Sequence, residues 1–153
     1  MSIVQASMDD MAYVRNITRT TIKTVYPHYY PKGTVEFFLA HHSDERMTDD
    51  ISAGCVYLYK DADEHNVGTV TVKGNEITRL FVDPAHQGRG YGRELLNFAE
   101  ERIAERYDEI VIDASLSAKG IYLRRGYTEI AYHTIAAPSG DYLCYDVMKK
   151  VLR

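Results

Sequence analysis

Three glycines at alternate positions, with arginines among them, stand where an apolar run gives way to a helical period: Leu80-Phe81-Val82-Asp83-Pro84-Ala85-His86-Gln87-Gly88-Arg89-Gly90-Tyr91-Gly92-Arg93-Glu94-Leu95-Leu96. Glycine lets a backbone turn sharply and lie close to a ligand. The first turn of the following helix carries unpaired N–H groups and the positive end of the helix dipole. Together these make a phosphate cradle, and Arg89 and Arg93 add cations where a diphosphate would rest. A Walker A loop does not fit, because no Lys-Ser or Lys-Thr pair follows the glycines. A Rossmann fingerprint does not fit either, since the spacing is G-x-G-x-G and a meander of short strands precedes it.

The segment Val82-x-Pro84-x-x-Gln87-Gly88-Arg89-Gly90-Tyr91-Gly92-x-x-Leu95-Leu96 resembles motif A of the GNAT acetyltransferase superfamily, whose Q/R-x-x-G-x-G/A core is met by Gln87, Gly90 and Gly92. Further on, Ala118-Lys119-Gly120-Ile121-Tyr122-Leu123-Arg124-Arg125-Gly126-Tyr127 looks like that family's motif B, in which Ala-x-x-x-Tyr-x-x-x-Gly-Phe/Tyr closes a short helix. The resemblance spans about Glu76 to Tyr127, with its parts in family order. It implies an α+β, three-layer fold: a mixed, mostly antiparallel central sheet, helices on both faces, and a V-shaped splay at the acetyl-CoA site. The diphosphate of acetyl-CoA would lie against the amides of Gln87, Gly88, Arg89, Gly90, Tyr91 and Gly92, and its pantetheine arm beside the strand from Glu76, pairing with free backbone near Phe81 and Val82. Ser115, three before Ala118, stands where many relatives carry an Asn that touches the cofactor. A serine keeps a hydrogen-bonding group there with a shorter reach.

By the same resemblance the chain is an N-acetyltransferase in which an amine attacks acetyl-CoA directly. A lysine-like amine with a pKa of about 10.4 is neutral at pH 7 in only about one part in 2,500, so a base, a water chain or a site that lowers the amine pKa must help. Glu76, at the start of the cofactor strand, is the candidate base, and a solvated Glu at a turn is its plain alternative. Tyr122 matches the family tyrosine beside the thioester sulfur, and a phenol of pKa about 10 is protonated and able to donate at pH 7. Tyr29, Tyr30 and Phe37, with His28, Glu36 and Phe38 nearby, are candidates to line the acceptor pocket, against the alternative of a packed aromatic loop. A small-molecule amine is the expected acceptor; a peptide or protein acceptor, or a sensor that binds acetyl-CoA without transfer, are the rivals. No metal is expected, because His41 and His42 are adjacent and no Cys or His stands at zinc-ligand spacing.

These residues need elements to hold them. Ile3–Ala6 can be a short strand, and Ser7 with Asp10 resembles a capping box opening a helix to about Val25. The Tyr26–Gly33 stretch, with Pro27 and Pro31, breaks it. Helical pieces are expected from Thr34 through Leu39 and from Ser43 to about Ile51. A meander follows over residues 55–59, 66–72 and 76–82. Tyr91, Leu95, Ala99, Ile103 and Tyr107 recur every four residues, the clearest helix in the chain. Glu109–Asp113 reads as a buried parallel strand, residues 118–125 as a short helix, and residues 127–135 and 142–149 as a closing hairpin. With 45% hydrophobic residues and no linker or repeat, residues 1–153 form one expected domain, long enough to bury roughly 70% of its unfolded surface.

Eighteen Lys and Arg against 22 Asp and Glu give a net charge of −4, which supplies no broad field for nucleic acid. No run approaches the roughly 18 apolar residues that span a bilayer and the first residues do not form a signal peptide, so no membrane partner and a cytoplasmic address are expected. Cys55 and Cys144 lie in apolar, strand-like runs as structural thiols, and neither is a convincing nucleophile. Dimerisation through the C-terminal strands, common among relatives of the resembled family, is compatible with the sequence.

Overall fold

The computed structural model describes residues 2–152, and its elements change type where the hydrophobic period changes. β1 (Ser2–Gln5) runs into a 3-10 turn over Met8–Asp10 and then helix α1 (Met11–Val25). The Ser7 N–H donates to the Asp10 carboxylate at 2.9 Å, which satisfies one group that a helix start leaves bare. Pro27 turns the chain into a second 3-10 turn over Tyr26–His28. Helix α2 (Lys32–His41) starts two residues before the expected Thr34, with Pro31 at its cap, a position whose N–H the helix does not need. Helix α3 (Asp44–Ser52) is capped by Ser43, whose Oγ accepts from the Arg46 N–H at 3.3 Å.

The rest follows as β2 (Val56–Lys60), β3 (Asn66–Lys73), β4 (Glu76–Val82), α4 (Tyr91–Ala104), β5 (Glu109–Ala114), α5 (Lys119–Arg124), β6 (Thr128–Ala136) and β7 (Tyr142–Val151). One seven-stranded sheet has the order β1-β2-β3-β4-β5-β7-β6. Each neighbouring pair is antiparallel except β4 and β5, which a helical crossover through α4 makes parallel. On one face, Leu95, Leu96, Ala99 and Ile103 of α4 bury against Ile77, Ile110, Ile112 and Met148. On the other, Val14, Ile17 and Ile22 of α1 join Met47 and Ile51 of α3 over Val56 and Leu58. Each such side chain, fully buried, stabilises the fold by roughly 1.5–3 kcal/mol. Among the described residues no helix is long and apolar enough to cross a membrane.

Two irregularities in β4 shape the centre of the molecule. Its pairing with β5 is confined to Glu76–Val111 and Ile77–Ile112, so beyond Ile77 the two strands part. Its register with β3 slips between Thr71–Thr78 and Thr69–Phe81, a bulge holding Arg79 and Leu80. Arg79 sits there in the left-handed region at φ 48°, a conformation that costs a side-chain-bearing residue about 1–2 kcal/mol. Bulges of this kind re-aim side chains next to sites. The expected V-shaped splay is therefore present, made by a parallel pair that stops after two residues.

Candidate active site

The splay opens into two cavities that meet at one wall. The larger, of about 530 Å³, lies between the β4–α4 loop and α5 and is lined by Gln87, Gly88, Gly90, Tyr91, Gly92 and Arg93, with Arg124 across from them. Gly88 and Gly90 take φ of 79° and 87°, which glycine adopts without strain. The first intrahelical bond of α4 runs from the Glu94 N–H to the Gly90 carbonyl at 3.1 Å, so the amides just before it fall in the turn where a helix leaves donors unpaired. A Cβ on Gly88 would meet no atom within 4 Å, and one on Gly92 would only touch Val82 at 3.6 Å. The fold itself does not require glycine at position 92, and the open space above it is what a closely approaching ligand would use. Cradle, dipole and arginines fit a diphosphate.

The strand beside this cleft is equally specific. The Asp83 N–H bonds to the Val67 carbonyl at 2.8 Å, which marks Gly68–Val82 as a non-hydrogen-bonded pair and turns the N–H and C=O of Val82 away from β3 into the gap. The Val82 carbonyl there accepts from Thr21 Oγ1 at 3.2 Å and from Gln87 Nε2 at 3.0 Å. Phe81, by the same alternation, turns its backbone to β3 and contributes its ring to the wall.

The smaller cavity, of about 220 Å³, lies between α2 and the opposite side of the splay, against Thr78, Arg79, Asp113, Leu143 and Tyr145. Tyr26, Leu80, Phe81, Ser115, Ala118 and Tyr122 line both cavities. Tyr122 is 4% exposed, and burial, with Tyr26 nearby, pushes its phenol well above the ordinary tyrosine range. Burial likewise takes Tyr26 up to about 12, against the lowering effect of its hydrogen bond with Ser115. Both phenols are thus protonated donors at neutral pH.

Carboxylates and histidines set the electrostatics of the small cavity. Asp113 keeps much of its surface in solvent, and partial desolvation of its carboxyl raises it, with His133 and His41 opposing. Glu76 is half-buried and raised by burial and then by Asp113, with Lys73 opposing. His42 is driven down to about 3 by burial, then by His41, Arg79 and Arg46, and so is neutral at pH 7.

The match to sequence expectation is uneven. Phe81, Val82, Gln87, Gly88, Gly90, Tyr91, Gly92 and Ser115 all line the larger cavity, whereas Arg89, between two left-handed glycines, is exposed and off its wall. His86, Arg93, Arg124 and Arg125 are the cationic or basic side chains that do line it. Of Tyr29, Tyr30 and Phe37, only Phe37 lines the acceptor-side cavity. Tyr29 is 50% exposed, and Tyr30 is a buried tie: its hydroxyl accepts from the Leu116 N–H at 2.7 Å and donates to the Cys144 carbonyl at 3.4 Å. Glu76 lies outside the wall, next to Asp113, which sequence reasoning missed together with Tyr26. Among the described residues the group whose ligand atoms lie close enough to hold a metal ion is Asp61, Asp63 and His65 in the exposed β2–β3 turn, where the Asp61 carboxylate is instead used to accept the Asp63 and His65 backbone N–H groups at 2.9 Å.

Comparison with known proteins bears on this arrangement directly. The model of the acetyltransferase (GNAT) domain matches residues 25–137. The chain belongs to the GNAT acetyltransferase family. As a GNAT domain it is of the acetyl-CoA-dependent acyltransferase class, and the cradle found in its β4–α4 loop suits that co-substrate. Over 81 residues it is 33% identical to an N-acetyltransferase from the pepI 3′ region of Lactobacillus delbrueckii subsp. lactis, covering 50% of this chain and 47% of that protein, so the match spans about half the relative's length. In fold it is similar to the GCN5-related N-acetyltransferase from Rhodopseudomonas palustris, with a TM-score of 0.89, 23% identity, and 99% of this chain and 95% of that chain covered. The PaiA N-acetyltransferase from Thermoplasma acidophilum, solved with coenzyme A, gives a TM-score of 0.72 at 19% identity over 98% of both chains. The GNAT fold expected from the two motifs is the fold observed.

Proposed function

We propose that the chain moves the acetyl group of acetyl-CoA to a primary amine of a small molecule by direct attack. The observation that carries this reading is the shared wall: a cleft built for a diphosphate and its arm meets a small, aromatic-sided cavity at Tyr26, Ser115 and Tyr122. Acetyl-CoA supplies an activated thioester at that wall. The Val82 N–H, turned into the gap, is a fixed donor for charge developing on a carbonyl oxygen, the kind of preorganised contact that does most in a site closed to water. Tyr122, held protonated, donates to the departing sulfur. Asp113 on the wall, with Glu76 behind it as the second carboxylate, takes the proton of the attacking amine. Both carboxyls are raised toward the range where a base works best.

A covalent route has no support from the site, since Cys144 is off both cavity walls and its thiol faces Thr134 at 4.0 Å. The acceptor cavity, at about 220 Å³, falls below the roughly 300–1,000 Å³ of drug-sized pockets, and α2 roofs it with Phe37 and Phe38. That geometry favours a small amine over a peptide.

The test is release of coenzyme A thiol across polyamines, aminoglycosides, amino acids and short peptides, with an amine-free control. Release with one small-amine class is the expected result. Release with peptides alone would move the assignment to a peptide acetyltransferase. Heat stabilisation by acetyl-CoA without release from any amine would favour a sensor.

A further inference from the structure

Six buried side-chain polar atoms among the described residues lack a hydrogen-bond partner. Three of them, His42 Nδ1, Thr78 Oγ1 and Arg79 Nε, belong to residues that line the acceptor cavity. The other three, on Thr18, Asn66 and Thr71, lie off its wall. Buried polar groups are normally satisfied, and three of the unpartnered atoms here belong to residues that share one cavity wall.

Arg79 is the most telling of these. Its side chain is 6% exposed and its terminal nitrogen pairs with Asp50, which also takes Lys73 at 3.0 Å. Two cations on one carboxylate leave that trio with net positive charge. The Nε–H can only donate, so what it lacks is an oxygen lone pair. The neutral His42 and the Thr78 hydroxyl can each donate to such an oxygen as well. The backbone of Arg79 is the left-handed bulge residue of β4, and an outlier of that kind is kept where the surroundings use it. On the same cavity Asp113 offers a carboxylate, with Phe37, Phe38, Ile135 and Leu143 supplying apolar surface.

A cavity with donors beside a buried guanidinium, a carboxylate of its own and apolar sides is built for a zwitterion. We propose that the acceptor carries a carboxylate as well as its amine: a small amino acid with an apolar side chain, the amine directed to Asp113 and the carboxylate received by Arg79, Thr78 and His42. This rests on the acetyl-transfer reading of the same cavity and narrows it.

The experiment compares leucine and phenylalanine with their decarboxylated counterparts, isoamylamine and phenethylamine, both as acceptors in thiol release and as ligands in thermal denaturation without acetyl-CoA. The amino acids should exceed the plain amines by roughly tenfold or more in kcat/KM, the size expected of a hydrogen bond to a charged group. Thr78→Val, which removes a hydroxyl without changing shape, should raise KM for the amino acids several-fold and shift KM for the plain amines far less. Arg79→Lys keeps a cation for Asp50 and loses the Nε–H, and should act in the same direction. Equal use of acids and plain amines, or a Thr78→Val effect on both alike, would overturn the proposal while leaving acetyl transfer intact. If no amine is acetylated, the transfer reading fails, and the thermal arm still decides: stabilisation by the amino acids alone upholds the carboxylate site, and no difference overturns it.

Discussion

At the scale of the residue, the shared wall makes Tyr122 the sharpest test of the mechanism. Tyr122→Phe removes only the hydroxyl and should bind acetyl-CoA nearly as the parent does. It should lose turnover by about a hundredfold or more, the usual worth of a positioned acid, as read by thiol release beside a binding isotherm. Unchanged turnover would end the acid assignment. The carboxylates predict the pH profile. Asp113 and Glu76 are both raised, so the active, deprotonated base appears only as pH climbs above the ordinary carboxylate value near 4. A rising limb of kcat/KM should therefore lie on the neutral side of that value. Tyr122 is raised as well, so it contributes no falling limb below about pH 10. Asp113→Asn should lower kcat/KM more than Glu76→Gln, since Asp113 is the one on the wall. Gln87, Gly90, Gly92 and Tyr122 were legible because each acts at a fixed register within one short segment. Asp113 and Tyr26 were not, because Asp113 on β5 and Tyr26 in the turn after α1 are far apart in the chain and share a cavity only once the sheet and helices have assembled.

At the scale of the element, the tip of the β6–β7 hairpin is locked to the start of α2. The Asp141 carboxylate accepts the Gly33 N–H at 3.1 Å, and Thr34 Oγ1 donates to the Tyr142 carbonyl at 3.0 Å. The contact is so close that a Cβ on Gly33 would sit 1.8 Å from Ser139 Oγ and 2.5 Å from Ser139 Cβ. Gly33→Ala should therefore destabilise the protein by about 1–3 kcal/mol through overpacking, although alanine is the better helix former. Because the same hairpin carries Leu143 and Tyr145 to the acceptor cavity, KM for the amine should rise while KM for acetyl-CoA holds. Denaturant titration and a two-substrate kinetic analysis check the two halves. The break at Pro27 and the meander were readable from residue types and period, and element bounds fell within about two residues except where a 3-10 turn over Met8–Asp10 precedes α1 and where α4 ends at Ala104, three short of Tyr107. The docking of hairpin on helix was not, since it depends on residues more than a hundred positions apart.

At the scale of the whole molecule, buried phenols and paired carboxylates bound the pH range of the fold. Tyr26 and Tyr59 are each pushed up to about 12, first by burial, and Tyr122 and Tyr127 go higher for the same first reason. A tyrosine whose folded pKa exceeds its unfolded value near 10 keeps its proton only while folded, so stability is intact below pH 10 and falls as pH rises beyond it. Asp50 and Glu100 act at the other end. Burial raises each, but hydrogen bonds from Arg79 and Lys73, and from Arg125 and Lys150, outweigh it and hold both low. Their contribution is present above the unfolded carboxylate value near 4 and is lost as pH falls below it. Urea midpoints across pH should show a plateau between these limits, with the alkaline edge steeper because four phenols ionise together on unfolding.

The lock of hairpin on helix has a further consequence, for the order in which the molecule is made. Tyr30 reaches the Cys144 carbonyl across 114 residues and Thr34 reaches the Tyr142 carbonyl across 108, whereas the co-substrate cleft is largely drawn from one central stretch of chain. Closing so long a loop carries its entropy cost before any contact rewards it. The two halves of the site should then mature at different times, the nucleotide-holding half first. Pulse-labelled hydrogen exchange during refolding would show this as early protection of the Asp83 and Val111 amides, which bond within the central stretch, and late protection of the Gly33 and Leu116 amides.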